Sequence, residues 1–229
     1  MKKLFCGAAF FCLSTIGSMS YAQSNTFEGF FGQIGIGYEQ TKPTHDSGQV
    51  TIAGLGTIPL AVSQSTSQGF TGVVGLGYMA PVYPNFLLGF GVEYAPIAGS
   101  SSSHTSSING TVIGTGTYQK ESMYNIFISP ATPLGKDGLI YGKVGYSGAA
   151  IKYSLASNSN TYNFTGYSLG LGYKQIISGG LYGFVEGNYF SYGNQTATTS
   201  GRIGAYSVQS TATENATSYN LLVGLGYKF

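Results

Sequence analysis

The sequence predicts an all-β chain, an eight-stranded antiparallel up-and-down transmembrane β-barrel, and three observations carry that prediction. Residues 219–229 place Tyr219, Leu221, Val223, Leu225, Tyr227 and Phe229 on one parity, and Asn220, Leu222, Gly224, Gly226 and Lys228 on the other. This is the period of two of a strand with two unlike faces, one wanting apolar surroundings and the other a polar interior. The same phrase recurs as Gly35-Ile36-Gly37-Tyr38, Gly75-Leu76-Gly77-Tyr78 and Gly170-Leu171-Gly172-Tyr173, so the last strand is a template for the others. Composition agrees. Charged residues are only 8%, aromatics 14%, with 36 glycines, 19 tyrosines and no tryptophan, against roughly 25% charged in a soluble domain.

Residues 1–22 read as a secretory signal peptide: Lys2 and Lys3, an apolar run over 4–13, then Ser20-Tyr21-Ala22 as the cleavage site. The apolar run is too short for a membrane helix, which needs roughly 20 residues. Cys6 and Cys12, the two cysteines, fall inside this leader, so the mature domain, 23–229, is expected to have no disulfide and a free, unlipidated amino terminus near Gln23. Without Lys2 and Lys3 the chain carries eight basic and eight acidic residues. That balance leaves no basic patch for nucleic acid. No mature segment has the roughly 18 successive apolar residues of a spanning helix, so the membrane is expected to be crossed by strands.

Eight staves follow, each near the roughly 9 to 11 residues that a tilted strand needs: 29–39, 69–79, 86–95, 118–129, 139–150, 164–174, 181–190 and 217–229. Long polar stretches (40–68, 96–117, 151–163, 191–216) alternate with short Pro- or Gly-bearing turns (80–85, 130–138, 175–180). Long outer loops and tight periplasmic turns are the asymmetry of outer-membrane barrels, and an even count closes without a free edge. Within the second long loop, Asn109-Gly110 is a hairpin signal that would carry its flanking strands beyond the membrane. The Ser-, Thr-, Gly- and Asn-rich loops lack periodicity, which predicts mobility.

Parity assigns the faces. Ile34, Ile36, Val74, Leu76, Phe90, Val92, Ile126, Ile128, Val144, Leu169, Leu171 and Val185 fall on the lipid side, with tyrosines toward the stave ends, and no charge is among them. The inward parity carries Gln33, Glu39, Glu93, Glu121, Asn125, Lys143, Glu186, Asn188, Asn220 and Lys228, with Phe31, Phe127, Tyr141, Tyr182, Phe184 and Phe190. An eight-stranded barrel encloses just enough room for such side chains. A plugged lumen is therefore expected, large residues of stave seven lying over the glycines of its neighbours, and Lys143 paired with Glu186 and Glu93 because buried ions must be paired. Glu39, Glu93 and Glu121 then exceed the nearby cations toward the loop side.

With these features the chain resembles the eight-stranded outer-membrane barrels, the OmpA-type transmembrane domain and the opacity-type surface antigens of the porin-like group. The resemblance spans nearly the whole mature chain. Its compact motif is a carboxy-terminal assembly signal, to which Gly224, Tyr227 and Phe229 correspond, while Leu222 stands where a polar residue is usual. It implies bacterial outer-membrane localisation, insertion by the barrel-assembly machinery with periplasmic chaperones, contact with outer-membrane lipid and lipopolysaccharide, and a monomer. It also implies lumenal ion pairs, for which Glu93, Lys143 and Glu186 are the candidates.

Residues that could carry other chemistry are few. The two histidines, His45 and His104, lie in outer loops; His45 precedes Asp46, and His104 sits within the serine-rich stretch 100–107. A Ser-His-Asp arrangement across two loops is conceivable, yet nothing places these residues at a membrane-facing rim, where an envelope lipid-modifying enzyme would need them. His45 and Asp46 are adjacent rather than spaced for one metal ion. The alternating glycines relieve crowding inside strands and do not form a phosphate loop. The expectation is a non-enzymatic, cofactor-free barrel with a structural or surface-interaction role, its loops meeting a host or matrix ligand. A small-solute channel is the alternative.

Overall fold

The computed structural model describes residues 26–97, 99–155 and 158–229; the expected signal peptide, 1–22, lies outside them. The described residues form eleven strands in one sheet: β1 (Gly29–Ile52), β2 (Gly56–Pro59), β3 (Ala61–Gln64), β4 (Ser67–Tyr83), β5 (Phe86–Ala95), β6 (Ser102–Ile108), β7 (Thr111–Leu134), β8 (Gly138–Leu155), β9 (Asn158–Ser178), β10 (Leu181–Ile203) and β11 (Tyr206–Lys228). Eight of them close a ring in chain order, β1-β4-β5-β7-β8-β9-β10-β11, and β11 pairs antiparallel with β1 from Phe31↔Lys228 to Ile52↔Val208. Every stave expected from the alternation lies within one of these strands, except that the last, 217–229, runs one residue past the end of β11.

The two faces separate as the parity requires. Ile34, Ile36, Leu76, Val92, Ile126, Val144, Leu171 and Val223 are exposed on the outer wall. Aromatic belts bound this apolar band. Phe30 and Tyr78 meet edge to face at 4.8 Å on the short-turn side, as do Tyr227 and Phe229 at 5.3 Å. On the other side Tyr38 meets Phe70 at 5.8 Å and Tyr189 meets Tyr219 at 4.9 Å. Tyr219 and Tyr227 stand eight residues apart on β11, about 27 Å along a strand and roughly 20 Å in height once tilted, which suits the hydrocarbon layer.

The short turns are tighter than the pattern suggested, since the strands run into them: Gly135 and Gly179 turn β7 into β8 and β9 into β10 with φ of 71° and 57°. The opposite side differs more. The stretches expected as loops are largely strand. β10 and β11 stay paired out to Ile203↔Tyr206, and Asn109 and Gly110, with φ of 48° and 79°, turn β6 into β7. Beyond the outer belt a Thr–Thr ladder (Thr196 with Thr213, Thr198 with Thr211) replaces the apolar face, so the strands continue with no hydrophobic period to announce them. Here β3 and β6 take the places of β4 and β5. β6 pairs with β7, β3 with β6, and the seam back to β1 is held by the Leu60 amide on the Gly48 carbonyl at 2.9 Å. The cylinder thus extends well outside the membrane.

Candidate functional site

The lumen is filled in three storeys. In the middle one, β5, β8 and β10 each turn one charged side chain inward. The Lys143 ammonium lies 2.6 and 2.7 Å from the two oxygens of Glu93 and 2.9 Å from Glu186, above the Phe127 ring at 4.4 Å. Glu186 also accepts from the Tyr141 hydroxyl and from the Asn188 amide, both at 2.8 Å. Glu93 accepts from Asn125 at 3.3 Å and from Gln33 at 3.5 Å. The structure therefore brings the three sequence-derived candidates Glu93, Lys143 and Glu186 into one buried cluster. The glycine walls leave room for the rings, a Cβ at Gly91 running into Phe127 and one at Gly224 into Phe184.

Two further lysines, Lys120 and Lys174, neither among the residues expected to face inward, complete the lumen. Glu121 does not face inward. A register shift between Lys120 and Ser122 inserts it as an extra residue in β7, which reverses the parity beyond it. Glu121 is thereby half-exposed, 3.8 Å from Lys152, and the buried Lys120 sits 2.6 Å from Glu39 at the level of the outer belt. Toward the short turns, Lys174 is buried with its ammonium 3.9 Å from the Phe31 ring centre, 4.7 Å from Tyr182 and 5.2 Å from Tyr141. The expected excess of carboxylates dissolves. Glu39, Glu93 and Glu186 are matched by Lys120, Lys143 and Lys174. Lys174 has the inward parity of Gly170 and Gly172 and was legible from the sequence; Lys120 was not, because a bulge leaves no mark in the period.

In the outer extension a second cluster lines the open mouth. The Tyr153 ring meets His104 edge to face at 5.7 Å and Tyr162 at 5.9 Å. Burial first, and then the charge of Glu214, push the Tyr153 hydroxyl above the ordinary tyrosine range. Burial holds the His104 imidazole below its ordinary value, with Glu214 acting weakly the other way. His45 turns inward and meets the Leu60 carbonyl at 3.2 Å across the seam. Its neighbour Asp46 faces out, 3.4 Å from Asn194, so the adjacency of His45 and Asp46 in sequence puts them on opposite faces.

The model for the outer membrane protein beta-barrel domain matches residues 8–229, nearly the full chain. This chain belongs to that family. Outer-membrane beta-barrel structures resemble it throughout. The outer membrane protein OprG from Pseudomonas aeruginosa is 15% identical, with a TM-score of 0.56 over 88% of this chain and 96% of its own. Neisserial surface protein A has 15% identity and a TM-score of 0.49 over 88% and 98%. Ail, the attachment invasion locus protein of Yersinia pestis, has 16% identity and a TM-score of 0.40 over 88% and 99%. No curated protein matches the chain in sequence. As a member of the outer-membrane beta-barrel family it is a protein of the bacterial outer membrane, and its own barrel is built of eight strands.

The carboxy-terminal strand of this family member alternates between the outer wall and the lumen. Tyr227 and Phe229 are exposed on the short-turn belt, Gly224 lies over Phe184, and Leu222 is buried in the lumen.

Proposed function

We propose that the barrel is a closed, monomeric anchor that displays a rigid β-cylinder outside the cell for surface interaction, and that its lumen does not conduct. The observation that supports this reading is the middle storey. Lys143, Glu93 and Glu186 with Phe127, Tyr141, Asn125 and Asn188 occupy the width of the barrel, each buried, and moving Lys143 out of it would strand two carboxylates at a cost of several kcal/mol. The long strands of the outer extension support the display role, presenting Ser- and Thr-rich walls rather than flexible loops. In this reading Gly224, Tyr227 and Phe229 are what the barrel-assembly machinery recognises once periplasmic chaperones have delivered the chain, and the apolar band meets outer-membrane lipid and lipopolysaccharide. The ligand outside is a host or matrix surface.

The test is single-channel recording on mature chain 23–229 refolded into planar bilayers, with the heat-modifiable gel shift taken on the same sample. A β-rich, heat-modifiable species without steady current is expected. Steady, ohmic current would replace this reading with the small-solute channel.

A further inference from the structure

The mouth of the outer extension holds a cavity of about 370 Å³ lined by His104, Tyr153, Ser154, Asn160, Tyr162 and Thr199, within the size range of small-molecule sites, roughly 300 to 1,000 Å³. It opens on the side of the cylinder away from the short turns. We propose that it binds a neutral saccharide of one or two pyranose rings. The proposal deepens the surface-interaction reading and rests on it for the side from which the ligand arrives.

Three features select this chemistry. The cavity wall carries small polar side chains, the hydroxyls of Ser154, Ser159 and Thr199 and the amide of Asn160. They include donors as well as acceptors. A sugar hydroxyl both donates and accepts, whereas a cation could serve only the acceptors. The lining also contains no lysine or arginine, and the Glu214 carboxylate bears on both His104 and Tyr153, so a sulfated or phosphorylated ligand is disfavoured while a hydroxyl donor is welcome. Finally, Tyr153 and Tyr162 supply flat apolar faces with polar tips. These suit the C–H face of a pyranose ring, and Ser154, Asn160 and Thr199 surround it with small hydrogen-bonding groups.

Saturation-transfer difference NMR tests this on the refolded mature chain with the methyl glycosides of glucose, galactose, mannose and N-acetylglucosamine, each at about 10 mM, a range that reveals millimolar binding. At least one glycoside should receive saturation, with affinity falling about tenfold in both Tyr153→Ala and His104→Ala and unchanged in Thr198→Ala, on the outer wall. The heat-modifiable shift confirms that each variant is folded. No transfer to any of the four glycosides overturns the proposal, as does transfer that persists in both mouth variants, or transfer to tetramethylammonium in their place. Repeating the titration in lipopolysaccharide with and without its outer saccharides separates the sources. Competition by the complete form assigns the site to the membrane's own glycan, and its absence to a glycan from beyond the cell. Because conductance is measured separately, a barrel that conducts and still binds would remove the closed-anchor reading and leave this site standing.

Discussion

Replacing Lys143 by Met isolates the energetics of the central storey, because Met is close to lysine in length, apolar and adaptable. The ammonium touches three carboxylate oxygens at 2.6 to 2.9 Å, and its side chain is 2% exposed. Breaking a buried pair by removing one partner costs about 3–5 kcal/mol. The two carboxylates do not suffer equally. Glu186 keeps the Tyr141 hydroxyl and the Asn188 amide at 2.8 Å, whereas Glu93 keeps only longer contacts to Asn125 and Gln33, at 3.3 and 3.5 Å. The loss is therefore dominated by Glu93 and should come to about 5 kcal/mol, the top of that range rather than twice it, since the two pairs share one ammonium. Adding Glu93→Gln to Lys143→Met should recover more than adding Glu186→Gln. Urea unfolding in lipid bilayers, followed by circular dichroism and the gel shift because the chain has no tryptophan, measures each variant. A loss under about 1 kcal/mol, or a larger recovery from Glu186→Gln, would refute the reasoning.

The same substitution at Lys174 should behave differently: its ammonium is held by aromatic rings, without a carboxylate in ion-pair reach among the described residues, so Lys174→Met should stay within about 1 kcal/mol of the parent in the same titration. Gly37→Ala should cost about 1–3 kcal/mol or more, because its Cβ would run into the Leu221 carbonyl of β11; Gly187→Ala, which meets only the Asn220 carbonyl at 4.0 Å, should be near neutral. The outer mouth should loosen in acid. His104 is neutral in the folded and unfolded chain above its ordinary value of 6.5, and as pH falls below that the unfolded state takes up the proton first, since burial lowers the folded value. Hydrogen exchange of the β6 amides, corrected for intrinsic rates, should therefore rise from pH 7.5 to about pH 5.5 and lose that dependence in His104→Gln. The groups facing the imidazole are Tyr153, Gln64 and Glu214, of which the Glu214 charge opposes the effect.

How much of this molecule was legible in its sequence follows from what a strand's period can carry. Within the membrane each stave needs an apolar outer face, so the alternation in 219–229 and its copies reveals the strand, its two faces and, through the parity of Lys143, Glu93 and Glu186, which charges share the lumen. The short turns show because glycine with positive φ is needed there, as at Gly135 and Gly179. Outside the membrane that requirement ends. The Thr–Thr ladder of β10 and β11 has polar residues on its outer side, and a strand wet on its outer face looks like a loop. Three things were settled only by tertiary structure. The extra residue at Glu121 inverts the faces above it and places Lys120 on Glu39, because inserting one residue shifts a period of two by half a turn. β3 and β6 replace β4 and β5 in the outer wall, and residues far apart in the chain, His104, Tyr153 and Glu214, meet in the mouth. Alternation is local and is written in the chain; register, bulges and closure depend on which strand lies alongside, and that is decided only when the barrel closes.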